Sequence, residues 1–375
     1  MKAARPGNNT QQVQNQAILR IGLVYDRAVD YGVTDGPADR FAEFEPESTI
    51  NVMEQAVLEA GHYPVRIGSP RKLLETDPDV DVIWNIGEGY GSRNREAWAP
   101  VLCEMRGIPC LGSDAYTLTV TLDKILSKQI ARSLDIPTSD WQIIRYHPSQ
   151  TGTLTSRAGY PDFSISQKGP KMEHTESEPA ETSIPKPVLP FPIFLKPRYE
   201  GTAKGITERS IVHNETEFDH QCRYLLSTYR QDVMAEPFLD GAELTCAMAG
   251  YKLRALPVME RGLHHSGIGS HAIDATGDQP AHTSDIITPE LEKTLAAWSV
   301  RFCEALSIRD FARFDYKMDR SGTPLFLEVN PLPTFAVDST YAILAELEGI
   351  PYPNYLGGIL SEAIRRLHMD ITKSP

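Results

Sequence analysis

Residues 311–334 read FARFDYKMDRSGTPLFLEVNPLPT. Two apolar runs, 311–318 and 324–329, predict a pair of antiparallel strands. Side chains two residues apart share a strand face, so Arg313 lies beside Asp315, and Glu328 beside Asn330 on the partner strand. Polar groups inside otherwise apolar strands need a reason to be there. Asp315, Glu328 and Asn330 form a set of hard oxygen donors of the kind that suits Mg²⁺ with bound phosphates. The same four side chains read equally well as a buried arginine–carboxylate network with no metal.

Outward from this stretch, 191–197 (FPIFLKP) reads as a strand carrying Lys196, followed by the loop RYEGTAKG and a return strand, GITERSIV. Glycines in such a turn let backbone N–H groups approach phosphate oxygens, and a lysine on the preceding strand adds positive charge. Taken alone, this is also what a structural hairpin looks like. It is not a Walker loop, because the lysine precedes the glycines and no GK[ST] follows. A helix near 216–226, a strand DVMAEPFL, and a strand pair over 243–249 and 251–259 come next. A helix over 290–306 precedes the quoted stretch, and closing helices over 337–347 and 355–367 follow it.

The N-terminal part alternates strand and helix, the pattern of an α/β layer. Residues 18–25 (ILRIGLVY) predict a buried parallel strand, 48–60 a helix stopped by Gly61, and 63–67 and 80–85 further strands. The loop GEGYG at 87–91 follows a strand, where parallel sheets bind ligands, but connecting turns also use glycine. Helices over 96–106 and 121–134 and a strand over IPTSDWQII complete this part. Residues 166–190 carry five prolines and no aromatic residue, which predicts a flexible surface insertion.

The chain has 375 residues, enough for two or three domains. Its net charge of −13 argues against nucleic acid as the main partner. No apolar run is long enough to cross a membrane. Five cysteines, at 103, 110, 222, 246 and 303, show no CxxC spacing, which favours reduced thiols and a cytoplasmic setting over disulfides or structural zinc. Residues 1–17 have no apolar core of a secretory signal; Lys2 and Arg5 without an early acid are shared with transit peptides, but a polar arm is the reading adopted.

With these residues in hand, the chain resembles the ATP-grasp ligases, and more narrowly the D-alanine–D-alanine ligases. Four blocks carry the resemblance in the family's order: GIPCLGSDAYTLTVTLDK, FPIFLKPRYEGTAKGI, MAEPFLDGAELT, and ARFDYKMD with FLEVNPLP. The resemblance implies an α/β protein, α+β at its C-terminus, with an ATP-grasp fold. Its expected parts are an arm at 1–17, an N-terminal α/β domain at 18–117, a central subdomain at 118–235 holding the insertion, and a C-terminal subdomain at 236–375. It implies ATP and a pair of Mg²⁺ ions. Lys124 and Lys196 would meet the phosphates, with Gly201, Thr202 and Ala203 in the phosphate loop. Glu236, Phe238 and Leu239 would receive the adenine and Glu243 the ribose, while Asp315, Glu328 and Asn330 would hold the metal. Arg313 and the backbone at Thr334 would face a developing oxyanion. The activity implied is ligation of a small-molecule carboxylate to an amine through an acyl phosphate. A homodimer is common in the family. A nucleotide-binding module without turnover is the alternative from another class.

Four departures from the family pattern bear on substrate. Thr334 stands where the family has glycine. The first domain lacks the family's glutamate loop; Glu43, Glu45 and Glu47 lie in roughly the right place, with two of the three expected to be merely solvated. The stretch ERGLHHSGIGSHAIDATGD lacks the family's tyrosine and lysine, and offers His264, His265 and His271 instead, as substrate contacts, as a polar loop, or as zinc ligands without supporting spacing. Pro237 replaces a lysine common in the adenine pocket. Ser339 matches a serine that contacts the acceptor carboxylate, and is also a good helix cap. These departures favour a ligase of specialised metabolism over D-alanyl-D-alanine synthesis.

Overall fold

A computed structural model describes residues 17–32, 36–147, 184–262 and 284–371. The predicted first strand is β1 (Arg20–Val24), buried after its first residue. It is flanked by β2 (Tyr63–Gly68) and β3 (Val82–Asn85), with β4 (Cys110–Leu111) at the edge, all parallel in the order β2-β1-β3-β4. Helix α1 (Glu47–Glu59) buries Ile50, Met53 and Val57 of the apolar face the sequence predicts, while Leu58, expected on the same face, is exposed. Helix α2 (Pro70–Glu75) is capped by the Ser69 hydroxyl. The helix expected from residue 96 begins as a 3₁₀ turn over Arg95–Ala97 and becomes α3 (Trp98–Arg106).

The predicted helix over 121–134 is in fact two. Helix α4 (Ala115–Leu122) ends at Asp123, whose extended backbone (φ −80°, ψ 98°) breaks the run. The Asp123 carboxylate then caps α5 (Lys124–Ser133) through the N–H groups of Ile125 and Leu126. Helical spacing alone misses this, because an aspartate reads as helix surface until its capping role is seen. The break places Lys124 at the first position of α5.

A second sheet is antiparallel, ordered β5-β8-β6-β7: β5 (Gln142–Ile144), β6 (Ile193–Pro197), β7 (Ile211–Val212) and β8 (Val233–Pro237). Its strands are shorter than expected. The return strand of the hairpin shrinks to two residues because Glu208–Ser210 form a 3₁₀ turn closed reciprocally by Thr207 and Ser210. Helix α6 (Glu215–Tyr229) covers this sheet with Phe218, Cys222 and Leu225. The third sheet holds β9 (Glu243–Gly250), β10 (Arg254–Ala255), β11 (Met259–Arg261), β12 (Asp310–Met318) and β13 (Pro324–Asn330). The partner expected over 251–259 is thus two short strands, each antiparallel to β9. Helix α7 (Pro289–Leu306) packs Phe302 against Phe314 and Phe326.

Helices α8 (Thr340–Leu347) and α9 (Tyr352–Ile371) return to the first sheet. One continuous core therefore joins Ile21 and Trp84 to Ala247, Phe311, Phe335 and Leu360. At this seam Gly112 (φ 86°) lies where an added Cβ would come 3.1 Å from the Phe311 ring, so glycine is required there. Beside it, the Asp310 carboxylate accepts from the Gly112 N–H at 2.8 Å and from Arg366 at 2.7 Å. All five cysteines are unpaired. Among the described residues no helix is long and apolar enough to cross a membrane.

Candidate active site

The expected pairing of the two decisive strands is present: Asp315 faces Glu328 and Arg313 faces Asn330 across β12 and β13. Arg313 lies 2.9 Å from Asp315, which also accepts from the Thr245 hydroxyl at 2.9 Å and the Asn330 amide at 3.2 Å. Lys124, delivered by the break before α5, donates to Glu328 at 2.9 Å. Burial alone would raise the Glu328 carboxyl; Lys124 and Lys196 reverse that and hold it at about 2. The carboxylates form the arginine–lysine network of one of the two readings; their donor chemistry is that of a hard-cation site, but among the described residues no group of three or more His, Cys, Asp or Glu side chains is placed to hold a metal ion.

Opposite these strands, the second sheet closes a cleft of about 200 Å³. Its cationic side holds Lys124, Lys196, Arg261, Arg313 and Lys317, and its apolar side Phe194, Ile206, Phe238, Leu239 and Leu327. This polarity matches a phosphorylated ligand with a flat apolar end. Glu236 sits on the β8 wall, 2.6 Å from Lys196 and 2.8 Å from Lys128, and accepts from Ser139 at 3.0 Å. Burial would raise its carboxyl, but the two ammonium groups hold it well below the usual range. Phe238 lines the cleft, and its N–H, expected to help receive the adenine, already donates to the Pro192 carbonyl. Glu243 lies 3.5 Å from Lys317 and 3.8 Å from Arg261.

The loop after β6 is held by residues far earlier in the chain, Asp39, Glu43 and Arg95. Gly201 N–H donates to Glu43 at 2.6 Å, Lys204 reaches the same carboxylate at 3.3 Å, and Arg95 pairs with it. Gly205 N–H donates to Asp39 at 2.7 Å. Thr202 and Ala203 adopt left-handed backbone angles (φ 46° and 55°), which glycine normally supplies. A smaller cavity of about 60 Å³ opens between this loop and the 331–334 turn. Glu43, Glu45, Glu88 and Glu96 form its acidic side. Burial pushes Glu96 up to about 7 and Glu88 well above the usual carboxylate range, the latter reinforced by Glu96.

Only one of the three first-domain glutamates is plainly solvated, not two. Glu47 is the exposed one and pairs with Arg66. Glu43 is buried on the loop. Glu45 bonds Thr49 at 2.9 Å and the Thr334 hydroxyl, burial raising its carboxyl against those two bonds. Ser339 caps α8 through the Ala342 N–H and meets the Tyr352 hydroxyl at 3.1 Å; it lines neither cavity. His264, His265, His271 and residues 166–183 of the expected insertion lie outside the described residues.

Residues 154–361, more than half of the chain, match the D-ala D-ala ligase C-terminus family. The chain belongs to that family. It is 28% identical over 318 residues to the D-alanine–D-alanine ligase of Aquifex aeolicus, covering 84% of this chain and 94% of that protein. It is 29% identical to the uncharacterized protein y4sG of Sinorhizobium fredii, covering 83% and 86%. The D-alanine–D-alanine ligase of Bacillus anthracis, solved with ATP, shares the fold with a TM-score of 0.63 at 20% identity, over 94% and 99% of the two chains. Membership makes the chain an ATP-dependent carbon–nitrogen ligase with an ATP-grasp fold.

Several site residues escaped the sequence reading. Lys317 was within reach of it, since it continues the alternation of Arg313 and Asp315. Lys128 and Arg261 were not, because each looks like an ordinary helix or strand cation until the fold brings Glu236 and Glu243 to it.

Proposed function

We propose that this ligase activates one carboxylate substrate as an acyl phosphate and joins it to an amine, releasing ADP and phosphate. The observation that carries this is a cleft that brings Arg313 and Glu328 together with the 201–203 loop, with Asn330 lining the smaller cavity beside it and Asp315 buried and paired to Arg313. ATP lies in the cleft, with Glu236, Phe238 and Leu239 at the base, Glu243 at the ribose, and Lys124 and Lys196 at the phosphates. Lys196 turns from Glu236 toward the phosphates when they are present. Asp315, Glu328 and Asn330 would hold Mg²⁺, which would supply countercharge for the phosphates.

The reacting carboxylate occupies the smaller cavity. Its oxygen attacks the terminal phosphorus, and the bond to the bridging oxygen of ADP breaks. The amine nitrogen then attacks the acyl carbon, phosphate departs with the carbon–oxygen electron pair, and the nitrogen loses a proton. Arg313 and the backbone at Thr334 face the oxyanion. The chain needs no covalent nucleophile, because its task is positioning and neutralisation. The parts at 18–117, 118–235 and 236–375 act as substrate, nucleotide-loop and metal-bearing units.

Thr334, bonded to Glu45, adds a side chain at the turn beside the substrate, which favours amino acids other than a D-alanine pair. The D-alanine–D-alanine ligases among the relatives favour the second reading, synthesis of D-alanyl-D-alanine itself. Turnover of Mg²⁺-ATP with D- and L-amino acids, singly and in pairs, with products read by mass, separates them. ADP with a mixed condensation product supports the first reading. Efficient D-alanyl-D-alanine formation from D-alanine alone supports the second. ADP without any amide product removes the ligase mechanism proposed here.

A further inference from the structure

A third cavity, of about 450 Å³, lies behind the loop that follows β6. Of the residues lining it, Glu200 alone also lines the cleft. Five arginines face it, Arg93, Arg95, Arg145, Arg198 and Arg230, against two carboxylates, Glu200 and Asp232. In a chain of net charge −13 this is a marked local reversal.

Internal pairing consumes only part of that charge: Arg95 pairs with Glu43 and lies 3.9 Å from Glu96 and 4.0 Å from Glu200. Asp232 alone serves both Arg145 at 2.8 Å and Arg198 at 3.0 Å, and also accepts from the Tyr146 N–H. Arg198 is balanced in addition by Asp123, 2.6 Å away. Arg93 and Arg230 have no ion-pair partner among the described residues, and both are exposed. Arg230 ends α6, where a helix C-terminus favours a cation. That accounts for Arg230 but not for Arg93, which comes from the loop after β3. Arg95 is buried, and its Nε has no partner among the described residues even though its other nitrogens bind Glu43 and the Tyr199 carbonyl. The Arg95 Nε is itself shut away from solvent, so it is the guanidinium groups of Arg93 and Arg230 that are left to meet an acceptor in this roomy, arginine-lined space.

We infer that this cavity binds a small anion with two or more negative charges, a phosphate ester or a polycarboxylate, independently of the cleft. Guanidinium forks suit both oxyanions. The volume suits a small molecule and not a lone ion. Binding there reaches the nucleotide loop, because Arg95 holds both the Tyr199 carbonyl and the Glu43 carboxylate that secures Gly201. This rests on geometry alone and stands apart from the ligase mechanism proposed above.

The test is calorimetric titration of the full chain with pyrophosphate and, separately, citrate, in Mg²⁺-free buffer with chloride matching the ionic strength. The variants are Arg93→Ala/Arg230→Ala, which removes two exposed side chains, and Lys196→Ala, which alters the cleft. The inference expects saturable binding that weakens about tenfold or more in the double variant and persists in Lys196→Ala. The stronger of the two probes then separates tetrahedral phosphate from planar carboxylate as the preferred chemistry. Absence of saturable binding, or an isotherm unchanged in the double variant, overturns it.

Discussion

Arg313 holds its charge against burial because Asp315 and Glu328 surround it, so it remains a cation at any working pH. The proposed oxyanion role predicts that Arg313→Ala lowers kcat by about 10²-fold or more while ATP still binds. Steady-state turnover alongside a direct nucleotide titration checks this, and unchanged turnover would remove Arg313 from the chemistry. Glu96 carries a different signature. Burial raises it to about 7, so the folded state holds its proton more tightly than the unfolded chain does. Stability from this group is present below about 4.5, the ordinary glutamate value, and is lost as pH rises through about 7. Glu96→Gln keeps a neutral side chain throughout, so the fall in melting temperature between those pH values should flatten. A slope as steep as that of the parent would place the proton elsewhere in the acidic group.

At the scale of elements, the loop after β6 is where the sequence was least informative. Lys196, Gly201 and the hairpin were legible, because glycine beside a strand-borne lysine is a local pattern. The anchors were not, since Asp39 lies 166 residues from Gly205 and Glu43 lies 158 from Gly201. No local spacing links residues so far apart, and an acidic loop reads as solvated until a fold brings a backbone N–H to it. The same applies to Asp123, which looks like mid-helix surface but caps α5 and holds Arg198. The anchoring predicts a tight steric limit. A Cβ at Gly201 would lie 2.9 Å from a Glu43 oxygen, so Gly201→Ala must displace that carboxylate from a loop N–H. The expected cost is about 1–3 kcal/mol in chemical unfolding, with a raised KM for ATP. A neutral result would show that the loop reseats without Glu43.

At the scale of the molecule, the decisive strands and the parallel first sheet were legible because β periodicity and buried apolar runs are strong signals, whereas the ATP-grasp architecture was legible only through the resemblance of four motif blocks to a known family. What was not legible is how the chain closes on itself. The last helices complete the core begun by the first strand, with Phe311 and Phe335 packed at 5.1 Å beside Trp84. Asp310 ties this seam by binding both Gly112 and Arg366. Asp310→Ala takes a carboxylate from the buried Arg366 and leaves alanine in left-handed backbone, so a loss of about 3 kcal/mol is expected in urea unfolding. A loss below about 1 kcal/mol would mean that the apolar core alone carries the junction.

The carboxylate that secures Gly201 is almost wholly shielded from water, as is Arg95 beside it. Dissolved ions screen exposed charges well and buried ones poorly. Release of nucleotide past this fastening should therefore proceed at nearly the same rate between about 0.05 and 0.5 M salt, while uptake of a polyanion by the cationic cleft slows as salt rises. Stopped-flow exchange of a fluorescent ATP analogue measures it, and a steep acceleration with ionic strength would place the barrier in surface charge instead. Such a ligase would let its nucleotide go at a pace set by its own interior, largely indifferent to the saltiness of the fluid around it.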